Sequence, residues 1–361
     1  MQIKAREIGP GAPPFVIAEV GVNHDGSFAR AAQLIECAHA AGADAVKLQY
    51  FEADRLLSRA AILAEYQVTT GGGSPLQLLR ALELSENETQ ALLDVIHAHG
   101  MAAIVTVFSL EHVLPMLALG WDAFKTASPD IVNMPLLRAL AQDGRPMIVS
   151  TGAATLEEVR AGAREISNAN IDFALLQCVS AYPTPDELAE LGGIVDLAMN
   201  TNVPIGYSDH TSSQLTGARA VELGACIIEK HLTYDRNARG PDHAASLNPE
   251  EMKRYIQLIR AANVLPQEER MRARTEKRVL PIEEDVRHVS RQSIVGTRDC
   301  SPGDVISQSD VTLKRPGGGL MPAMLHSVIG ARVMRQIQSD MPLMAEDIHL
   351  SQTNMSACVT T

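Results

Sequence analysis

No CxxC pair occurs in this 361-residue chain, and its five cysteines (Cys37, Cys178, Cys226, Cys300, Cys358) are an odd number. Those two facts count against a disulfide framework and a structural zinc site, and they fit a reducing compartment. The opening MQIKAREIGPGAPP has no apolar signal core, and no uncharged run reaches membrane-spanning length. The expected location is cytoplasmic, with no membrane partner. Basic residues are not in excess either: the net charge is −12, and the first 285 residues hold 24 Lys and Arg against 37 Asp and Glu. That balance argues against nucleic acid as a partner, since non-specific binding needs a concentrated basic face. It leaves small anionic substrates open, because a pocket can be locally basic inside an acidic shell. Finally, no GxGxxG turn follows the first strand-like run, which counts against an open dinucleotide-binding sheet.

What is present is an alternation of apolar runs and helical patterns. Strand-like runs fall at 15–20, 45–50, 102–108, 123–125, 147–151, 173–179, 203–207 and 226–230. Helix-like segments fall at 28–41, 86–99, 110–119, 134–142, 156–168, 186–200, 212–223 and 249–264, several closed by a glycine. Eight strands each followed by a helix predict a TIM barrel of the α/β class over residues 1–264. A charged linker, 265–287, follows. Residues 288–350 change texture, with short apolar runs broken by SPGD, RPGGG and SDMP, and predict a small turn-rich β domain. Residues 351–361 have the composition of a disordered tail.

In a barrel, functional groups belong at the C-terminal ends of the strands. Nearly every predicted strand end here carries one: Glu19, Lys47 and Gln49, Thr106, Lys125 and Ser128, Ser150, Ser180 and Tyr182, Ser208 and His210, Glu229 and His231. Two lysines converging with several hydroxyls suit a phosphate or carboxylate. The stretches VPIGYSDHTSS and CIIEKHLTYDR place His210 and His231 at matching positions, where two neutral imidazoles could hold a divalent metal. Asp209 or Glu229 would then be a ligand or lie just behind one. An insertion at 60–85 carries Glu65-Tyr66-Gln67 and TTGGGS, and reads as a loop with a flexible glycine tip that helps cover the site or is a plain surface excursion.

Many of these stretches resemble the bacterial sialic acid synthase family. VIAEVGVNHDGS, AGADAVKLQYF, AFKTASPDI, IVSTGAA, LLQCVSAYPTP, GYSDHTSS, IIEKHLTYDR and GPDHAASLNPEEM stand in that family's order and spacing, and the likeness spans residues 14–350. The resemblance implies a TIM barrel with a C-terminal antifreeze-like (SAF) domain. It implies condensation of phosphoenolpyruvate with an N-acyl mannosamine-type hexosamine, dependent on a divalent metal (Mn²⁺ or Mg²⁺), to give a nonulosonic acid and phosphate. Carried over by position, it implies that His210 and His231 hold the metal and that Lys125, Thr106, Ser128, Ser150 and Ser208 surround the phosphate. Lys47 would meet the carboxylate, with Ser180 where some members have an asparagine. Glu19, Gln49, Tyr182, Glu229 and Asp242 would line the sugar site or assist proton transfer, with Glu229 able to activate the attacking water.

Two departures from the family wording fall at Val105-Thr106-Val107-Phe108 and at Pro129. In the LKRPGGGL segment the resemblance implies that Arg315 touches the sugar, in trans, across a domain-exchanged homodimer. The leading expected product is N-acetylneuraminate, with N,N′-diacetyllegionaminate second and pseudaminate third. The alternative is a catalytically silent relative that binds sugar or anion.

Overall fold

The computed structural model describes residues 1–64 and 74–350. Eight parallel strands form a closed barrel in sequence order: β1 (Phe15–Gly21), β2 (Ala45–Tyr50), β3 (Ala102–Val107), β4 (Ala123–Thr126), β5 (Met147–Ser150), β6 (Phe173–Cys178), β7 (Ile205–Asp209) and β8 (Ile227–His231). Closure occurs where β8 pairs with β1, with His231 opposite Glu19. The helices that follow the strands are α1 (Phe28–Ala41), α2 (Glu86–Ala98), α3 (Val113–Ala118), α4 (Met134–Ala141), α5 (Leu156–Ser167), α6 (Gly193–Asn200), α7 (Thr216–Glu222) and α8 (Pro249–Ala261). Their starts are set locally. Ser85 and Thr155 cap α2 and α5 in reciprocal bonds with Glu88 and Glu158, and Asn248 does the same with Glu251 for α8. Several are shorter than their sequence patterns, because a 3₁₀ turn or loop takes the first residues, as at Leu110–His112 and Asp186–Leu188.

Strand alternation divides the core in two. Outward residues such as Val16, Ala18, Val46 and Val105 pack under the helices. Inward residues at the N-terminal end, among them Ile17, Ala45, Ile104, Ile148 and Leu176, fill the barrel floor, which is closed below by Ile3 and Ile8 of an N-terminal hairpin. Close packing here leaves no room at Gly206, where an added Cβ would lie 2.4 Å from Leu176 and 2.6 Å from the Ile227 carbonyl. The apolar floor stops halfway up the barrel, and the upper half is polar.

Beyond α8 the chain does not hang free. Asp196 of α6 accepts two bonds from Arg274 and one from the Lys277 amide, and the buried Glu283 reaches the barrel loops. The linker predicted at 265–287 is therefore a docked strap, continued by α9 (Glu284–Ser290). The C-terminal domain is built from two antiparallel pairs, Ser293–Gly296 with Val311–Lys314 and Arg332–Val333 with Ile348–His349. Ile294, Leu313, Val328, Val333 and Leu343 form its small core. No described helix is long and apolar enough to cross a membrane. Residues 65–67, the TTGGGS stretch up to residue 73, and the tail from 351 lie outside the described residues.

Candidate active site

The period of two along a strand decides which strand-end groups enter the barrel. In β7 and the residue after it, Ser208 and His210 point in. In β8, Glu229 and His231 do. Their neighbours Asp209 and Lys230 point out, so of the two carboxylates offered as a ligand or as lying just behind one, only Glu229 faces the site. The Asp209 carboxylate accepts from the Thr211 amide at 2.8 Å and the Tyr255 hydroxyl at 2.6 Å, and lies 3.4 Å from Lys230 Nζ. That fully buried cluster fastens β7 and β8 to α7 and α8.

At the C-terminal mouth lies a cleft of about 910 Å³, including its open entrance. Glu19, Lys47, Gln49, Thr106, Lys125, Ser128, Ser150, Ser180, Tyr182, Ser208, His210, Glu229, His231, Asp242 and Arg315 all line it. Of the site residues singled out in the sequence, all but Asp209 are thus brought to one place. The two sequence departures leave this intact: Thr106 accepts from Lys47 at 3.1 Å, and Ser128 Oγ accepts from the Gly152 amide at 3.0 Å.

One side of the cleft is built for an anion. Lys47 Nζ lies 2.9 Å from Glu19 and 4.0 Å from Glu229. Lys125 Nζ donates to Ser150 Oγ at 2.5 Å and lies 3.5 Å from Glu229. Burial pushes the Lys125 ammonium below its usual range, and an arriving anion would move it back up. Burial opposes ionisation of Glu229 too, but Lys125, Lys47 and the Ser208 hydroxyl outweigh it and hold the carboxyl at about 2. Glu19 differs. Burial raises it to about 7 against the pull of Lys47, and Gln49 Nε2 donates to its Oε1 at 2.7 Å. Of the two carboxyls, Glu19 is the one balanced near neutrality.

The other side carries the imidazoles. The His210 and His231 rings are 5.6 Å apart, with Tyr182 stacked 4.1 Å from His210. His210 Nδ1 donates to the Val179 carbonyl at 2.9 Å, which leaves Nε2 with its lone pair. His231 Nδ1 is buried without a hydrogen-bond partner, 3.7 Å from Asp242, and burial keeps the ring neutral. Burial opposes the charged form of His210 too, but Cys178 beside it moves that ring upward. In their neutral forms the two imidazoles would offer lone pairs that fit a divalent ion keeping water in its remaining positions. Among the described residues no group of three His, Cys, Asp or Glu side chains completes a metal cluster, so the protein's contribution would be these two.

Sequence reasoning missed the third side. Val22, Phe51, Leu56, Leu79 and Phe108 form an apolar wall, and Val286 and Ser290 of α9 close it. Apolar residues at strand ends look like ordinary core in a sequence, and nothing local marks them as ligand-facing. Leu79 belongs to the insertion, so part of that loop does reach the cleft. His243 does not: it bonds Thr233 and Asp25 and ties two loops together. Asp130, also missed, is buried within the turn Ser128–Val132 and raised to about 7 by burial, against the pull of Arg315.

Arg315 reaches the cleft on its own barrel. Its amide donates to Leu56 O and its carbonyl accepts from the Ser58 amide, both at 2.9 Å. These contacts seat the small domain over the barrel mouth, and a domain-exchanged homodimer would make the same contacts between two chains.

Comparison with known proteins agrees with this geometry. The NeuB family matches residues 34–270, and the SAF domain matches 291–349. The chain is 38% identical to the N,N′-diacetyllegionaminic acid synthase of Legionella pneumophila, over 92% of this chain and 94% of that one. The crystal structure of the spore coat polysaccharide biosynthesis protein SpsE of Bacillus subtilis is similar over 98% of this chain and 99% of its own, with 32% identity and a TM-score of 0.82. The N-acetylneuraminic acid synthetase of Leptospira borgpetersenii, in complex with citrate, aligns over 79% of this chain and 94% of its own, at 28% identity and a TM-score of 0.65. With the family model matched over more than half of its length, the chain belongs to the NeuB family.

Proposed function

We propose that this enzyme condenses phosphoenolpyruvate with the open-chain form of an N-acyl hexosamine, releasing phosphate and forming a nonulosonic acid. The observation that carries the reading is the pair of buried ammoniums, Lys47 and Lys125, set across one cleft from the pair His210 and His231. Lys125, with Ser128, Ser150, Ser208 and Thr106, receives the phosphate, and Lys47 the carboxylate. C3 of phosphoenolpyruvate bonds to the aldehyde carbon, water adds at C2, and the C2–O bond to phosphate breaks. A divalent ion such as Mn²⁺ or Mg²⁺, held by His210 and His231, would supply Lewis acidity to the aldehyde oxygen. Glu229, already ionised by two lysines, is a poor proton acceptor and serves to balance those lysines. Glu19, near neutrality and oriented by Gln49, is the better proton carrier.

Among the expected products we place N,N′-diacetyllegionaminate first and N-acetylneuraminate next. The legionaminic acid synthase similarity supports this, and so does the apolar wall. If the second N-acyl group faces that wall, its methyl is buried against apolar side chains, whereas a hydroxyl there would lose water without gaining a partner. The test is phosphate release from phosphoenolpyruvate with singly and doubly N-acylated acceptors. The doubly acylated acceptor should give the highest kcat/KM. No phosphate release with any acceptor, although phosphoenolpyruvate binds, would instead favour the catalytically silent reading.

A further inference from the structure

The strap between barrel and small domain ends in a side chain that the proposed chemistry does not use. Glu283 is fully buried. One of its oxygens, Oε1, accepts two backbone N–H groups from two different barrel loops: Ala153 at 2.7 Å and Ser180 at 2.8 Å. The other, Oε2, accepts the Leu280 amide at 2.9 Å, which holds the carboxylate in its own turn. Ala153 lies just past β5, three residues after Ser150, and Ser180 lies just past β6. A single buried oxygen therefore joins the two loops that carry part of the anion side of the cleft.

The Ala153 peptide needs such an anchor. Ala153 has φ of +50°, an unusual conformation for a residue with a side chain. Its carbonyl is gripped from the same strap, by Arg287 Nη1 at 2.5 Å and Arg291 Nη2 at 3.3 Å. The preceding residue, Gly152, donates its amide to Ser128 Oγ, and a Cβ there would lie 2.3 Å from Ser180 Oγ. The loops are already at contact distance, so a small slip of either would displace Ser128 or Ser180.

We propose that Glu283 is a positioning residue for the anion site: by bonding both loops at once, it sets the spacing of the hydroxyls that receive phosphoenolpyruvate. The identity of the anion rests on the function proposed above; the positioning rests on the hydrogen bonds alone.

The test compares phosphoenolpyruvate affinity, by calorimetry on the full chain, for Glu283→Gln, Glu283→Asp and Glu283→Ala. A Gln keeps a carbonyl oxygen at the same reach, so its affinity should stay within about threefold of the wild type. An Asp keeps the charge but falls short, so it should weaken binding about tenfold or more, as should Ala. Acceptor KM, where turnover is measurable, should move less than about twofold in all three. Asp196→Asn is the control, since it loosens the strap at its far end without touching the loops, and it should keep affinity within about threefold.

An Asp variant that binds like the wild type overturns the proposal, as does a Gln variant as weak as Ala, or a control as damaging as either. If the Asp and Ala variants fail to fold, Arg287→Met reads the same peptide from its carbonyl side. It should weaken phosphoenolpyruvate about threefold or more, and unchanged affinity overturns the proposal. A wild type that binds phosphoenolpyruvate but releases no phosphate with any acceptor removes the synthase reading alone. A wild type that binds neither phosphoenolpyruvate nor inorganic phosphate removes both.

Discussion

Lys125 and Lys47 differ in what they already hold, and that difference sets their expected mutant behaviour. Lys47 is paired with Glu19, whereas Lys125 has Ser150 and a more distant Glu229. Lys125→Ala should raise the KM for phosphoenolpyruvate about thirtyfold or more, while the acceptor KM changes less than about threefold. A change confined to the acceptor would place the anion elsewhere. For the imidazoles, elemental analysis of the purified enzyme should find a divalent ion that His231→Ala no longer retains. Loss of kcat by about a hundredfold or more should accompany it. An enzyme fully active after exhaustive chelation, with no metal present, would refute the two-histidine site.

At the level of elements, the strap and α5 are joined through Glu158. Its carboxylate takes Arg287 and Arg291 at 2.8 Å each while also capping α5 through the Thr155 amide. Burial opposes ionisation, but the two guanidiniums and the amide hold the group at about 2, below its ordinary 4.5. A depressed carboxyl stabilises the fold fully above its ordinary value and loses that contribution as pH falls toward the folded value. Thermal melting should therefore separate wild type from Glu158→Gln most above pH 4.5, and the gap should close between there and about pH 2. The gap should amount to about 1–2 kcal/mol once solvent screening of a partly exposed group is allowed for. A constant gap across that range would mean that the carboxylate charge contributes nothing.

For the whole molecule, the question is which barrel each small domain serves. Arg315 meets Leu56 and Ser58, contacts that a domain-exchanged homodimer would make between chains, so mixing inactive Arg315→Ala with inactive His231→Ala and allowing subunit exchange should restore partial activity. No recovery, with exchange verified, would show that each small domain serves its own barrel, since exchange keeps the same residue contacts and changes only the route of the strap. Much of this architecture is legible in the chain itself. The eight-fold alternation, α1 to the residue, and the polar strand ends all follow from periods of 2 and 3.6 residues, which are local properties. Period two also separates His210 from Asp209, which leaves Glu229 as the carboxylate that faces the histidines. Other features were beyond reach, because they depend on residues far apart in sequence. Glu283 bonds Ala153 across 130 positions, and Gln292 bonds the Phe108 carbonyl across 184. Phe51, Leu56 and Phe108 carry no mark distinguishing a ligand wall from core. The sequence by itself determined the barrel, its polar mouth and the residues gathered there, because strand and helix periodicity assigns each side chain a face. Only the tertiary structure decided what closes that mouth, because closure depends on long-range hydrogen bonds and packing that leave no periodic trace.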